Sequence, residues 1–319
     1  MLIPLNILSM HIPDGFLNIY VSVAAWFISL SLLVLALRRA RSQFDERLVP
    51  LAGIMAAFIF AGQMINFPVT GGTSGHFIGA TLAFIVLGPW LGMVAMSSVI
   101  ILQALLFQDG GLVVMGANLL VMAIVPGFVG LSLYRLVWQR ARRTRLIAAA
   151  GAAWLSIMAA AFVVALLLAF SGTSSFNVAV PAMLGVHALI GLGEALITAS
   201  ALGFILQTRP ELLEMGRDTG RSQWLVVGGV VVLMVVLLTP FASGHPDGLV
   251  WVAGEKGFLS SAQSAPFSLL SNYTIPGLGS TSLARILAGL LGAVVVGVAS
   301  FLISRAVTRR RAAMKQAEH

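Results

Sequence analysis

The sequence predicts an all-α integral membrane protein, and three observations support that fold class. Hydrophobic residues make up 59% of the 319 residues and charged residues only 9%, too few for the surface of a soluble domain. Apolar runs near or above the ~18 residues needed to cross a bilayer recur along the chain. Arginines cluster only after some of these runs, as expected of cytoplasmic loops.

Nine helical spans are predicted, at residues 20–37, 48–65, 77–87, 91–107, 112–137, 146–170, 181–206, 224–238 and 283–303. The first follows a Pro13-Asp14-Gly15 turn. The third is short, and Gly88-Pro89-Trp90 predicts a turn from it into the fourth, so this pair is a candidate shallow or re-entrant hairpin. The predicted orientation of the later spans does not depend on this, because a pair that crosses the membrane twice and a pair that does not cross it leave the following chain on the same side.

The distribution of arginine predicts the orientation. With nine spans, the arginine clusters at 38–47, 140–145, 209–221 and 305–311 fall on one side. The opposite side carries the segment that begins at Met10 and the loops 66–76, 108–109, 171–180 and 241–280, where Lys256 is the exception. The positive-inside rule therefore places the N-terminus outside and the C-terminus in the cytoplasm.

A change in composition predicts two units. Residues 208–222 interrupt the apolar sequence with mixed charges and a proline. Residues 10–207 before this linker form a predicted seven-span unit, the capture unit. Residues 223–319 form a two-span hairpin, the auxiliary unit, whose residues 241–280 are an external loop. Residues 1–9 resemble no signal peptide and are interpreted as a wrong start or a segment that is removed.

Several function classes are excluded by missing motifs. The chain has no cysteine, which removes thiolate metal ligands and cysteine nucleophiles. No lysine follows a glycine, so a phosphate-binding Walker loop is absent and the chain cannot hydrolyse ATP by itself. The net charge of +8 comes from arginines between spans, so nucleic acid is not an expected partner.

Two histidines at the predicted outer side suggest a metal site. If Met10 is the true N-terminus, this end of the chain offers three nitrogens in one plane: the Met10 amine, the deprotonated amide of His11 and the His11 Nδ1. His76, at the end of the stretch Gly71-Gly72-Thr73-Ser74-Gly75-His76, could supply the fourth nitrogen of a square-planar site. Square-planar nitrogen ligation suits Ni(II) or Cu(II), whereas zinc prefers a tetrahedron. If Met1 is retained, the site is reduced to two imidazoles and whatever else the fold brings.

Other interpretations of the polar residues stay open. His76 in a tight loop could simply hydrogen-bond a carbonyl. His187 and Glu194 are seven residues apart on one helical face and are either functional or a structural pair. Thr73, Ser74, His187 and Glu194 are therefore candidate supporting or packing residues around the site.

The motifs, in order, resemble a known transporter family. "MHIPDGFL", "INFPVTGGTSGHFIGA", "QALLFQDGGL" and "HALIGLGEALIT" are similar to the substrate-binding component of energy-coupling-factor (ECF) transporters for nickel or cobalt, the NikM/CbiM family, over residues 10 to about 206. The stretch "GHPDGLVWVAGEKGF" is similar to the small auxiliary subunit of the same systems, NikN or PDGLE-type, here fused to the C-terminus.

This resemblance implies a transporter subunit rather than an enzyme, and a division of tasks among several proteins. The chain would capture Ni(II), or alternatively Co(II), from outside a prokaryotic cell membrane, with Met10, His11 and His76 as ligands. A separate transmembrane coupling protein and cytoplasmic ATPase subunits would drive import. The Pro-Asp-Gly-Phe form of the opening favours nickel over cobalt. The alternative function is an autonomous secondary permease for a divalent metal or small solute, but the repeated halves typical of such carriers are not evident.

Overall fold

The computed structural model describes residues 11–43, 48–213, 223–267, 269–279 and 281–317. Met10, residues 1–9, His319 and most of the predicted linker lie outside the described residues. The long helices are α1 Ile19–Gln43, α2 Leu48–Gln63, α3 Ala80–Leu102, α5 Val125–Arg135, α6 Arg142–Phe170, α7 Phe176–Thr208, α8 Gln223–Leu238 and α10 Ser282–Ala317. The short α4 Met115–Leu119 joins α5 through a π-helical segment, Leu120–Ile124, and α9 Gly248–Glu255 lies in the external loop.

Among the described residues, six helical stretches are long and apolar enough to cross a membrane: Ile19–Arg41, Ala80–Phe107, Met115–Arg135, Arg142–Phe170, Phe176–Thr208 and Ser282–Val307. Two shorter apolar helices are Leu48–Gln63 and Leu225–Phe241. Large apolar side chains face outward, with Tyr20 83% and Phe27 73% exposed, as lipid-facing helices require. The protein is therefore a multi-pass membrane protein, while nine crossings and their orientation stay predictions.

The long stretch Ala80–Phe107 is broken near its start. Gly88 has φ 76° and ψ 168°, outside the helical region. A Cβ built on Gly92 would lie 3.1 Å from the backbone of Ala83, although a straight helix would separate these residues by ~13 Å. The chain therefore folds back at Gly88, in agreement with the predicted hairpin. Its first limb, residues 80–87, is only about 12 Å long, too short to cross a ~30 Å bilayer core.

One prediction of a helix start was five residues late. We expected the seventh span to begin at about Pro181. The structure begins α7 at Phe176, after Ser175 in extended conformation, and carries Pro181 inside the helix. Pro181 is the sixth helical residue, so the helix lacks the one hydrogen bond that an N–H at this position would donate to the carbonyl of Asn177.

Segments predicted to lie outside meet at one end of the helix bundle. Hydrogen bonds join them in pairs, from Gln263 N to Asp14 O, Ser243 N to Asn66 O, Leu270 N to Leu106 O, and Thr173 Oγ1 to Phe16 O. Arginines predicted to be cytoplasmic lie at the other end of α6, where Arg142 donates to Gly203 O and Arg145 donates to the Tyr134 hydroxyl. The two predicted groups are thus separated by the length of the bundle.

The auxiliary unit packs closely on the capture unit. A Cβ on Gly53 of α2 would lie 2.9 Å from the carbonyl oxygen of Gly297 on α10, so only glycine permits this approach. The Ser300 hydroxyl donates to Ala52 O at 3.3 Å along the same contact. These small residues bring the fused hairpin against α2 and place its external loop over the predicted outer end.

Candidate metal centre

His11 and His76 lie together, as the predicted site requires. Their imidazole centroids are 6.1 Å apart and the ring planes differ by 28°. Both residues are buried, with 2% exposure for His11 and 8% for His76. The end of the bundle where the predicted outer segments meet therefore contains two buried imidazoles, which are ligands that suit nickel, cobalt and zinc.

A small β-hairpin positions His76. Strands β1 Phe67–Val69 and β2 Thr73–Gly75 pair antiparallel, and the turn uses Gly71 and Gly72 at φ 88° and 78°, which favours glycine. A Cβ on Gly75 would lie 2.6 Å from the Ile190 side chain of α7, so the strand fits tightly against that helix. His76 follows directly, with Nδ1 3.4 Å from its neighbour's carbonyl at Phe77, the weak contact that the tight-loop interpretation predicts.

His11 is held by the loop that follows the α3 hairpin. Its Nδ1 lies 2.8 Å from Oδ1 of Asp109. Asn118 binds both backbone polar groups of the next residue: its Oδ1 accepts from Ile12 N at 2.9 Å and its Nδ2 donates to Ile12 O at 3.0 Å. Gly110 has φ 105°, and a Cβ there would lie 2.9 Å from Cβ of His11. The backbone and the ring of the first predicted imidazole ligand are therefore both fixed.

The Pro-Asp-Gly turn after His11 is anchored from two directions. Oδ2 of Asp14 accepts from Leu112 N at 3.0 Å, and Oδ1 accepts from Val114 N at 3.1 Å. Gly15 has φ 89°, and a Cβ there would lie only 1.9 Å from Ser261 O of the external loop. The capture unit holds one side of this turn and the auxiliary unit covers the other.

The auxiliary unit also reaches Asp109. The Tyr273 hydroxyl donates to Oδ2 of Asp109 at 2.6 Å, opposite the oxygen that meets His11. Burial raises the pKa of this hydroxyl well above its usual value of 10.0, and the charge of Asp109 adds to the effect. The hydroxyl therefore stays protonated and can donate to the carboxylate throughout the physiological pH range.

Thr73 and Ser74 bond to the auxiliary unit. The Ser74 amide donates to Pro246 O at 2.8 Å, and its hydroxyl donates to His245 O at 2.8 Å. The Thr73 hydroxyl donates to Pro246 O at 3.2 Å. These predicted supporting residues thus join the His76 hairpin to the Pro-Asp-Gly turn of the second unit.

Asp247 begins α9 beside this contact. Its Oδ1 accepts from Val250 N at 2.9 Å and caps the helix. The pKa of its carboxyl is raised from 3.8 to about 7, chiefly by burial; the hydrogen bond from Val250 and the charge of His11 lower the pKa, and the charge of Asp109 raises it. A second carboxyl group therefore lies within electrostatic range of His11.

Glu194 and His187 bond to different partners rather than forming an evident pair. Oε2 of Glu194 accepts from Ile78 N at 2.7 Å, and Oε1 accepts from Gly79 N at 2.9 Å. Nδ1 of His187 lies 2.8 Å from Met183 O on the same helix. The imidazoles of His187 and His76 are close enough to interact electrostatically. Glu194 thus holds the segment after His76, which favours the supporting role.

The predicted chelate is not assembled in the described residues. Nδ1 of His11, which the three-nitrogen set requires, is bonded to Asp109. Met10, which would supply the amine, lies outside the described residues. Within the described part of the chain, no group of three or more histidine, aspartate or glutamate side chains is arranged to hold a metal ion. The ligand set therefore stays a prediction.

Four residues at the site were not predicted as such. In the sequence alone, Asn118 fits an interhelical hydrogen bond and Asp109 fits a turn, so neither stands out as a site residue. Asp247 belongs to the stretch His245-Pro246-Asp247-Gly248, an echo of the opening His11-Ile12-Pro13-Asp14-Gly15. The echo was the one available signal, because both copies lie at the site. Tyr273 carried no signal in the sequence.

Comparisons with known proteins identify related families and similar chains. The family described as "cobalt uptake substrate-specific transmembrane region", CbiM, matches residues 11–212, and the PDGLE domain matches residues 221–309. A protein of Archaeoglobus fulgidus assigned as a fused nickel transport protein, NikMN, is 36% identical, over 93% of this chain and 98% of its own. The fused nickel transport protein NikMN of Rhodobacter capsulatus is 32% identical, over 85% of this chain and 83% of its own.

A solved structure supports the fold of the first unit. The crystal structure of a truncated transition metal transporter matches with a TM-score of 0.56 and 34% identity, over 62% of this chain and 98% of that chain. The cobalt transport protein CbiM of Sorangium cellulosum is 30% identical, over 64% of this chain and 95% of its own. Nickel and cobalt proteins thus both occur among the similar chains.

Proposed function

This chain belongs to the CbiM family of cobalt uptake substrate-specific transmembrane regions and is a nickel or cobalt transport component, and on that premise we propose that it captures extracytoplasmic Ni(II) for an ATP-driven ECF-type importer. Co(II) is the alternative cargo. The proposed ligands are Met10, His11 and His76. The proposed location is a prokaryotic inner membrane, with the site facing outward and the arginine-rich ends in the cytoplasm.

One observation carries this proposal. Two imidazoles that are distant in sequence meet 6.1 Å apart, buried, at the end where the predicted outer segments gather. An imidazole pair in a protein without cysteine favours a borderline metal such as nickel or cobalt over magnesium or calcium. Several similar chains are named as nickel transport proteins, which supports nickel as the cargo.

Two coordination schemes follow, according to whether the peptide bond between Ser9 and Met10 is intact in the mature protein. If the mature chain begins at Met10, the amine, the His11 amide and Nδ1 bind in a plane with His76, and Nδ1 exchanges Asp109 for the ion. If Ser9 stays attached to Met10, the amine is lost and the two imidazoles bind without the chelate. N-terminal sequencing of the membrane-purified protein separates the schemes, since a square-planar Ni(II) complex is expected only for a chain that begins at Met10.

The external loop is proposed to keep the His11 segment in a state that can load metal. Its contacts with Gly15, Asp14 and Ser74 support this role. Deletion of the residues after Arg221 should impair loading, and unchanged nickel occupancy and uptake after that deletion would reject the role. A truncated transition metal transporter that is 34% identical and covers 62% of this chain has been crystallised, which supports the use of a truncated protein in this test.

The proposed partners are a transmembrane coupling protein and cytoplasmic ATPase subunits. The chain has no phosphate-binding motif, so ATP hydrolysis must come from other subunits. Nickel uptake by cells that carry this chain should cease when the ATPase subunit is inactivated by mutation. Uptake that continues under those conditions would support the secondary permease instead.

A further inference from the structure

A line of hydrogen bonds crosses from the auxiliary unit to the first imidazole of the site. Tyr273 donates to Oδ2 of Asp109 at 2.6 Å across 164 residues of sequence. Oδ1 of the same carboxylate lies 2.8 Å from His11 Nδ1, across another 98 residues. Both oxygens of Asp109 are therefore engaged, which restricts rotation of the carboxylate between its two partners.

Tyr273 is held rigidly where it meets Asp109. Its ring stacks on Phe107, with centroids 4.7 Å apart and planes 18° apart. Gln103 Nε2 donates to its hydroxyl at 3.3 Å. Asn272 and Tyr273 have φ of 54° and 56°, left-handed values that residues with side chains rarely adopt. Strain of this kind persists where the surroundings over-determine the conformation, often at functional sites.

Asp109 is equally constrained through its backbone. Gln108 just before it is left-handed at φ 53°, and the Asp109 amide donates to Gln103 O at 3.1 Å. Gln103 thus contacts both Asp109 and Tyr273. The carboxylate has one position relative to the bundle, and it holds His11 in one ring orientation.

We propose that Tyr273 is a positioning residue for metal capture, which acts through Asp109 to fix the imidazole of His11 and so makes the metal site depend on docking of the external loop. This inference rests on the proposed function in the scheme in which Ser9 stays attached to Met10, where His11 binds the ion through Nε2 and keeps its Nδ1 on Asp109. It assigns to one hydroxyl group of the auxiliary unit, that of Tyr273, a defined effect on the metal site.

The physical reason is the restraint that a carboxylate places on a ligating imidazole. Loss of such an outer partner typically lowers metal affinity 10- to 100-fold. Tyr273 is one bond further from the ring, so its loss should have a smaller effect than loss of Asp109. In the scheme in which Nδ1 leaves Asp109 for the ion, the carboxylate competes with the metal and its loss should tighten nickel binding, so the direction of the affinity change also separates the two coordination schemes.

The test uses the purified full-length chain in detergent, titrated with NiCl2. Tyr273→Phe keeps the stacked ring and removes only the hydroxyl. Tyr134→Phe is the matched control, since Tyr134 is also fully buried and its hydroxyl accepts from Arg145 at 3.0 Å, but it lies at the other end of the bundle. We expect nickel affinity to fall roughly 3- to 10-fold in Tyr273→Phe, below the range for a direct outer partner, and to stay unchanged in Tyr134→Phe.

A double-mutant cycle separates positioning from general loss of structure. Asp109→Asn alone should weaken nickel binding by about 10- to 100-fold, and adding Tyr273→Phe to it should cause little further loss, because the hydroxyl acts through the carboxylate. Equal or tighter nickel binding by Tyr273→Phe, or full additivity with Asp109→Asn, overturns the inference. Absence of nickel binding by the wild-type chain would instead refute the proposed function.

Discussion

Asn118 holds both polar groups of the Ile12 backbone, accepting from its N–H at 2.9 Å and donating to its carbonyl at 3.0 Å. This two-point clamp acts on the residue next to His11. It is completed by Gly111, whose amide also donates to Ile12 O at 2.9 Å. The position of the first imidazole is thus set by its backbone as well as by Asp109.

Replacement of Asn118 with alanine should weaken nickel binding about 10- to 100-fold, because the His11 backbone loses its restraint. Asn18→Ala is the matched control. Asn18 Oδ1 accepts from Val21 N at 2.9 Å near the start of α1, so its loss removes a local backbone bond of similar kind outside the site. Equilibrium dialysis with radioactive nickel measures both variants, and equal affinities would contradict the proposed role of the clamp.

Gly15→Ala should separate the external loop from the His11 segment. The added Cβ would lie 1.9 Å from Ser261 O, a backbone atom that cannot move without shifting the loop. Gly172→Ala provides the control, because Gly172 has a similar φ of 72° but no atom within 4 Å of its Cβ. Each change carries the left-handed backbone cost of about 1 kcal/mol, and only Gly15→Ala should add the clash. Trypsin cleavage after Lys256 should accelerate in Gly15→Ala alone; equal rates would show that the contact does not hold the loop.

Stability should depend on pH through Asp247. The pKa of its carboxyl is raised from 3.8 to about 7 in the folded protein, chiefly by burial. Between these values the folded chain retains a proton that the unfolded chain has lost, so this group lowers stability as pH rises from about 4 to about 7, and its effect is constant above that. The full difference is at most about 4 kcal/mol.

Asp247→Asn isolates this effect. Asparagine can still cap α9 but does not titrate. The melting temperature of the variant relative to wild type should therefore increase as pH rises from 4 to 7. Parallel pH profiles for the two proteins would mean that Asp247 keeps an ordinary pKa in the folded state.

Glu194→Gln should destabilise the segment after His76. The carboxylate accepts from both Ile78 N and Gly79 N, whereas the amide has one acceptor oxygen, so one buried N–H loses its partner. We expect the unfolding free energy to fall by about 1 to 3 kcal/mol. Glu255→Gln at an exposed position is the control and should change stability little. Thermal unfolding in detergent measures both, and a Glu194→Gln protein as stable as wild type would argue against the supporting role.

Much of the fold could be predicted from the sequence, because apolar runs in a membrane protein have few alternatives to helices. The hairpin at Gly88 could also be predicted, because a glycine directly followed by a proline favours a turn. The proximity of His11 to His76 also followed from the sequence, through the arginine pattern that assigned both to one side. The start of α7 lies five residues before the predicted one, directly after Ser175 in extended conformation.

The rest of the site could not be predicted because it depends on contacts between distant segments. Asp109 looks like a turn residue until the fold brings it to His11, 98 residues earlier. Tyr273 lies in a loop without periodicity, and its role depends on docking of the auxiliary unit. The Nδ1 atom that the chelate needs was expected to face the metal, whereas the structure bonds it to Asp109.

The most direct test of the account is nickel stoichiometry and affinity in the purified full-length chain, with His76→Ala compared with His245→Ala. His245 is an exposed histidine of the external loop whose backbone carbonyl, retained in the variant, accepts from Ser74. We predict one Ni(II) per chain for wild type and His245→Ala, and a loss of at least about 100-fold in affinity for His76→Ala, beyond what an outer-shell change costs. Nickel binding by His76→Ala that equals wild type would contradict the proposed site.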